Sequence, residues 1–295
     1  MFGENTYDIF DTANKLTSTY GVEYIASDFL TYDTAIEFAQ VEDSDNGDFD
    51  RIAVSFGLRY EDRSLTARGR VEYRVETADE AASRPDADTV LLSADARYLI
   101  SDEQRLLFSL DAADTETNED SLLNGSLVDV SLGYAYRPIL NERLNLLTRY
   151  RYLYDMYGQD IDGTVETGPV QESHVFSVEG SYDLTRNWTL GAKIGGRYSD
   201  SAEDGTMDLE SNDAILGVLN VRYDVTQNWD ILAEMRRFEA IDAGLSETGF
   251  LGVISRDLGK HFKVGVGYNF GSFSDDLTDL TFDDKGAFLN ITATY

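Results

Sequence analysis

Arg68, Arg70, Glu72, Arg74 and Glu76 occupy every second position of one segment, and Ala67, Gly69, Val71, Tyr73 and Val75 stand between them. A period of two puts all five charges on one face of a β-strand, whereas a helix would scatter them around its circumference. Other segments read the same way. They add Arg51, Arg59, Arg97, Arg149, Arg151, Lys193, Arg197, Arg222, Arg236 and Lys263 to polar faces. Glu23, Glu37, Asp95, Asp111, Asp129, Glu179, Asp230 and Glu234 are interleaved with them. Facing rows of opposite charge around a water-filled space create a transverse field that filters solutes. Set side by side, the same groups form ion-pair ladders that hold neighbouring strands in register. The spacing permits both.

Catalysis finds much less to work with. The two histidines are His174, beside Glu172 at an acidic end of its segment, and His261, in a short turn at the opposite end. They cannot readily share a site, so His174 with Glu172 is the sole acid–base pairing on offer. No G-x-S-x-G motif and no glycine-rich phosphate loop occurs. With no cysteine, disulfide frameworks, thiolate metal sites and cysteine nucleophiles are excluded. Acidic groups such as Asp200/Glu203/Asp204/Asp208/Glu210 and Asp275/Asp276/Asp279/Asp283/Asp284 match no calcium loop and read as solvated connections. No enzyme, cofactor or metal site is expected.

The elements that carry these faces are strands along the whole chain. Alternation marks 16–26, 31–41, 51–60, 65–76, 89–100, 105–113, 125–137, 144–154, 172–183, 188–199, 214–224, 229–238, 247–257, 262–271 and 286–295. Residues 4–10 supply a weaker sixteenth, supported by Tyr7 and Ile9. In 229–238 and 246–256 the contrast fades, because leucine and phenylalanine enter the polar face. Most segments reach the ~9–11 residues that a tilted strand needs to cross a bilayer.

Short and long connections alternate strictly. Turns such as 27–30, 61–64, 101–104, 185–187, 226–228 and 259–261 contrast with the longer stretches 42–50, 77–88, 114–121, 155–166, 200–213, 239–247 and 273–284. The seven longer stretches hold 31 of the 55 acidic residues and one base, Arg84, so the rest of the chain is almost neutral although the net charge is −31. No connection stands out by length as one that folds inward. Aromatics gather at the other end: Tyr24, Tyr60, Tyr98, Tyr136, Tyr182 and Tyr223 precede short turns, and Trp188, Trp229 and Phe262 follow them. Amphipathic rings at one level are expected at a membrane interface.

Composition narrows the classes further. At 42% hydrophobic and 12% aromatic, the 295 residues are too apolar for a disordered acidic chain. A strongly acidic surface argues against nucleic acid as a partner. No run of 18 apolar residues exists for a helical membrane span. Residues 1–15 show no basic-then-apolar leader, which fits either a mature form or a piece of something longer.

An apolar face crowned by aromatics, opposite a face rich in arginine, suits a meander closed in lipid, where every backbone group is paired and no edge is left. A two-sheet sandwich, burying its apolar face against another layer and leaving its polar face to solvent, also meets the pattern and stays an alternative. A propeller would show a four-strand blade repeat, which is missing here.

The C-terminal stretch GAFLNITATY places Ala287, Leu289, Ile291, Ala293 and Tyr295 on one face and ends on an aromatic. It resembles the terminal-strand signal of Gram-negative outer-membrane β-barrels. The longer GVGYNFGSFSDDLTDLTFDDKGAFLN (264–290) is similar to the ending of porin-like barrels at the C-termini of large modular bacterial surface proteins. The resemblance covers about the last 30 residues closely and the rest as hairpin architecture. It implies a location in the bacterial outer membrane, contact with its lipid and lipopolysaccharide, and recognition by the barrel assembly machinery through the last strand. It also implies that homo-oligomers are common at this size.

The expected fold is therefore all-β: one antiparallel up-and-down transmembrane β-barrel over 1–295, of 16 strands within a range of 14–16. The expected function is a porin-like channel for passive diffusion of small hydrophilic solutes or ions. Its lining would be Arg59, Arg68, Arg70, Arg74, Arg97, Arg149, Arg151, Lys193, Arg197, Arg222 and Arg236 with Glu72, Asp95, Asp129, Glu179 and Glu234. Tyr60, Tyr98, Tyr136, Tyr182, Trp188, Tyr223, Trp229, Phe262 and Tyr295 would mark the membrane interface. The alternatives are a non-conducting barrel that anchors a larger surface protein, and a soluble β-protein.

Overall fold

The computed structural model describes all residues except 10–12, 44–46, 80–84, 118–124, 157–158, 162–163, 167–169, 203–207, 260, 272–276, 278–284 and 294–295. Sixteen main strands follow one another: β1 (Phe2–Ile9), β2 (Ala13–Ile25), β3 (Leu30–Asp43), β4 (Phe49–Glu61), β5 (Leu65–Ala78), β6 (Ala87–Ser101), β7 (Gln104–Thr117) and β8 (Gly125–Tyr136). The second half contains β9 (Leu144–Met156), β10 (Val170–Asp183), β11 (Trp188–Ala202), β12 (Ala214–Thr226), β13 (Trp229–Ala240), β14 (Leu245–Leu258), β15 (Phe262–Asn269) and β16 (Gly286–Ala293). Each strand pairs antiparallel with the next, from β1–β2 through to β15–β16. The chain is an all-β, antiparallel, up-and-down transmembrane β-barrel. Among the described residues the ladders run without a break from β1 to β16, and none joins those two strands to each other.

Every segment read from alternation is a strand, and the weak sixteenth is a full member that pairs from Phe2↔Gly21 to Ile9↔Asn14. Most strands run a few residues past the expected ends, because backbone pairing continues where side-chain alternation stops, whereas β8 ends at Tyr136 and β15 at Asn269, short of the expected 137 and 271. Two short additions decorate the end with the longer connections: a hairpin of Gln159–Ile161 with Thr164–Glu166, and Glu210–Ser211 laid against Asp200–Ser201. One stretch expected to be long is a tight turn. β13 runs to Ala240 and β14 resumes at Leu245. Gly244 between them has φ 62°. Glycine adopts that left-handed conformation without strain.

Burial separates the two faces. Along β4, Ala53, Ser55 and Gly57 are buried whereas Ile52, Val54, Phe56 and Leu58 are exposed. A soluble sheet would reverse this order. The outward row continues around the barrel through Leu92, Leu132, Phe176, Ile194, Leu219, Ile254 and Val266, all exposed. Apolar side chains turned outward and polar ones turned inward are what a strand bathed in lipid requires. What is buried is mostly small or polar and lies on the inner wall, and Leu216 is the largest side chain fully buried there among the described residues.

The charged inner wall as candidate functional site

Register carries the charged positions around the inside. Across neighbouring strands, Asp33 opposes Gly57, Gly57 opposes Arg70, Arg70 opposes Ser93, Ser93 opposes Asp111 and Asp111 opposes Asp129. The next row runs Arg59, Arg68, Asp95, Ser109. All of these except Asp129 line a cavity of about 360 Å³ along the wall. Arg59 directly opposes Arg68. Such a like-charged cross-strand pair is tolerated only in a well-hydrated setting. Both side chains are exposed on the inner face.

The remaining inner charges divide into paired and open groups. Arg51 and Glu76 are opposite one another and form an ion pair at 2.5 Å. Glu72 holds Arg74 at 2.9 Å along the same strand and Arg70 at 3.5 Å, while Arg70 also donates to Ser55 Oγ at 2.8 Å. Arg151 grips both oxygens of Asp129, at 2.8 and 2.6 Å. Arg236 donates to Glu234 at 2.6 Å. Arg197 donates to Asn212 at 3.1 Å. Arg59, Arg68, Arg97, Arg149 and Arg222 form no ion pair among the described residues and stand exposed on the inner face. Lys193 and Glu179 oppose each other across β10 and β11. Ladder pairing and open charge thus coexist on one wall.

One residue between β15 and β16 lies against the inner wall, although loop lengths had singled out no connection to fold inward. Leu277, in the stretch between β15 and β16, is 7% exposed. It packs with Val175, Ala214, Leu216 and Val218, and Phe238 lies against the group. All five wall residues belong to inner-face rows of β10, β12 and β13. Room for it comes from Gly195, where a Cβ would fall 3.1 Å from Leu277 Cδ1. Arg149, Arg151, Glu179 and Lys193 border the same spot. Alternation gave no signal for this contact, because the first half of β12 is apolar on both faces, with Ala214, Leu216 and Val218 on the inside.

The aromatic positions lie where the strands meet the short turns. Trp188 opposes Tyr223 with ring centroids 4.4 Å apart. Arg256 stacks over Trp229 at 5.2 Å and opposes it in register. Phe262, Tyr98 and Tyr182 are exposed, Tyr60 donates to Asp62 at 3.0 Å, and Tyr136 ends β8. Tyr295 lies outside the described residues. His174 sits on the outer face near the other end, 2.8 Å from Tyr150 Oη and 3.8 Å from Glu172. In the turn after β4, the amides of Leu65 and Ser64 and the Tyr60 hydroxyl lower the pKa of Asp62 to about 2.

No family model and no curated protein matches this sequence. Solved structures do match in fold. The ferric citrate transporter FecA in its unliganded form superposes with a TM-score of 0.59 at 14% identity, over 98% of this chain and 53% of that one. The copper transporter OprC gives 0.58 at 10% identity, over 95% and 55%. The alcaligin outer-membrane receptor FauA from Bordetella pertussis gives 0.60 at 8% identity, over 99% and 55%. The chain spans about half the length of these structures. At such identities the likeness concerns the fold, and that fold is the bacterial outer-membrane β-barrel.

Proposed function

We propose that the chain is a porin-like channel through which small hydrophilic solutes or ions diffuse passively, and that it is not an enzyme. The carrying observation is the set of exposed, unpaired Arg59, Arg68, Arg97, Arg149 and Arg222 on the inner wall, interleaved with Asp33, Asp95 and Asp111. Sixteen strands leave room for an aqueous channel. Wall charges in water then act on passing ions, with Arg68, Arg70 and Arg74 facing acids along the same side. The similar structures named as transporters and a receptor support a transport role in the outer membrane. Leu277 in this reading narrows the passage beside β10, β12 and β13, next to Arg149 and Arg151. In this reading lipid and lipopolysaccharide surround the outer face, the assembly machinery reads the last strand, and homo-oligomers form in the membrane plane. Liposome swelling with sugars of increasing size tests it: swelling that falls with solute size supports diffusion, whereas none for the smallest sugar favours an anchoring barrel.

A further inference from the structure

The inner wall of β12–β16 carries a recess of about 720 Å³ unlike the charged wall of β3–β7. That volume lies within the ~300–1,000 Å³ typical of small-molecule sites. Its apolar surface is Leu232, Leu251, Val253 and Phe288. Its bases are Arg222, Arg236, Lys263 and Lys285, against the single acid Asp230. In a chain with more than twice as many acids as bases, that concentration of positive charge runs against composition. Arg236 is held by Glu234 and Lys263 by Asp230, whereas Arg222 has neither an ion pair nor a hydrogen bond among the described residues.

Two glycines shape the recess. At Gly267 a Cβ would fall 2.5 Å from Phe288 Cζ, so the absence of a side chain lets the far end of the ring reach over β15. At Gly265 it would meet Ser255 Oγ at 3.0 Å and Val253 at 3.3 Å. A purely hydrophilic solute leaves this apolar surface unused, and an uncharged apolar one forgoes a charge-assisted hydrogen bond from Arg222. We infer that this recess binds a small organic monocarboxylate with a compact apolar body, its ring or short chain on Leu232, Leu251, Val253 and Phe288 and its carboxylate toward Arg222. The inference rests on the channel reading and deepens it by naming a solute class.

Fluorine NMR of the refolded protein in zwitterionic detergent tests this with 4-fluorobenzoate, fluoroacetate and 4-fluorobenzyl alcohol as probes. Saturable binding is expected for fluorobenzoate, with the small anion and the neutral alcohol each at least about tenfold weaker. Arg222→Gln should weaken fluorobenzoate about tenfold while leaving the alcohol unchanged, and Leu251→Asn should weaken both. Equal binding of charged and neutral probes, an unaffected Arg222→Gln variant, or no saturable fluorobenzoate binding overturns the assignment. Heat-modifiable gel mobility verifies that each variant is folded. Because the readout needs no conduction, binding without conductance refutes the channel and keeps the recess, and conductance without binding does the reverse.

Discussion

Lys263 on β15 reaches across an intervening strand to Asp230 on β13, with Nζ and a carboxylate oxygen 2.5 Å apart. In register Asp230 opposes Ser255 on β14, which opposes Gly265 on β15. Strands two apart are separated by roughly 9–10 Å. The pair closes that gap because serine and glycine leave the space above β14 open. The bridge ties three strands together at the short-turn end.

Asp230 is 6% exposed, so removing its partner strands a buried carboxylate. Lys263→Gln should destabilise the barrel by about 1–3 kcal/mol, discounted for the partly exposed lysine. Adding Asp230→Asn should return much of that loss. Urea unfolding in lipid vesicles measures the cycle, and additive losses would show that the two groups are not coupled.

The apolar cluster beneath Leu277 predicts a packing effect inside a wall that is otherwise polar. Leu216 is fully buried in it. Leu216→Ala should cost about 2–5 kcal/mol in the same unfolding measurement. Leu277→Ser should leave the barrel folded and raise its single-channel conductance, because the side chain that narrows the lumen no longer packs there. Unchanged conductance would mean that the stretch does not restrict flow.

The outer face makes a depth-dependent prediction. Ile194 is 63% exposed and lies midway along β11. Ile194→Arg should cost about 2–4 kcal/mol in vesicles, whereas a soluble barrel would tolerate arginine at an exposed position with little change.

Asp62 gives the pH dependence of a short turn. Its carboxylate accepts the amides of Leu65 and Ser64, both at 2.7 Å, which lowers its folded pKa from 3.8 to about 2. A depressed carboxylate stabilises fully above its unfolded pKa and loses that contribution as pH falls through the folded value. Amide exchange at Ser64 and Leu65 should therefore be protected above about pH 4, with protection lost toward about pH 2. Asp62→Asn should flatten the profile.

Period-two alternation made the strands and their two faces legible in the sequence, because a strand has only two sides. β5 is the clearest case, with Arg68 through Glu76 inside and Val71 and Tyr73 outside. The inward contact of Leu277 was not legible, since the first half of β12 is apolar on both faces and offers no contrast to read. The Lys263–Asp230 bridge was hidden for another reason: its reach depends on Ser255 and Gly265, residues with no charge of their own.

Conductance of the refolded protein in a planar bilayer under a salt gradient tests the central claim most directly. The account predicts stable steps in molar salt, with a reversal potential that moves toward cation selectivity when Arg59, Arg68 and Arg70 are replaced by glutamine. Insertion into the bilayer with no conductance would contradict it and assign the barrel an anchoring role.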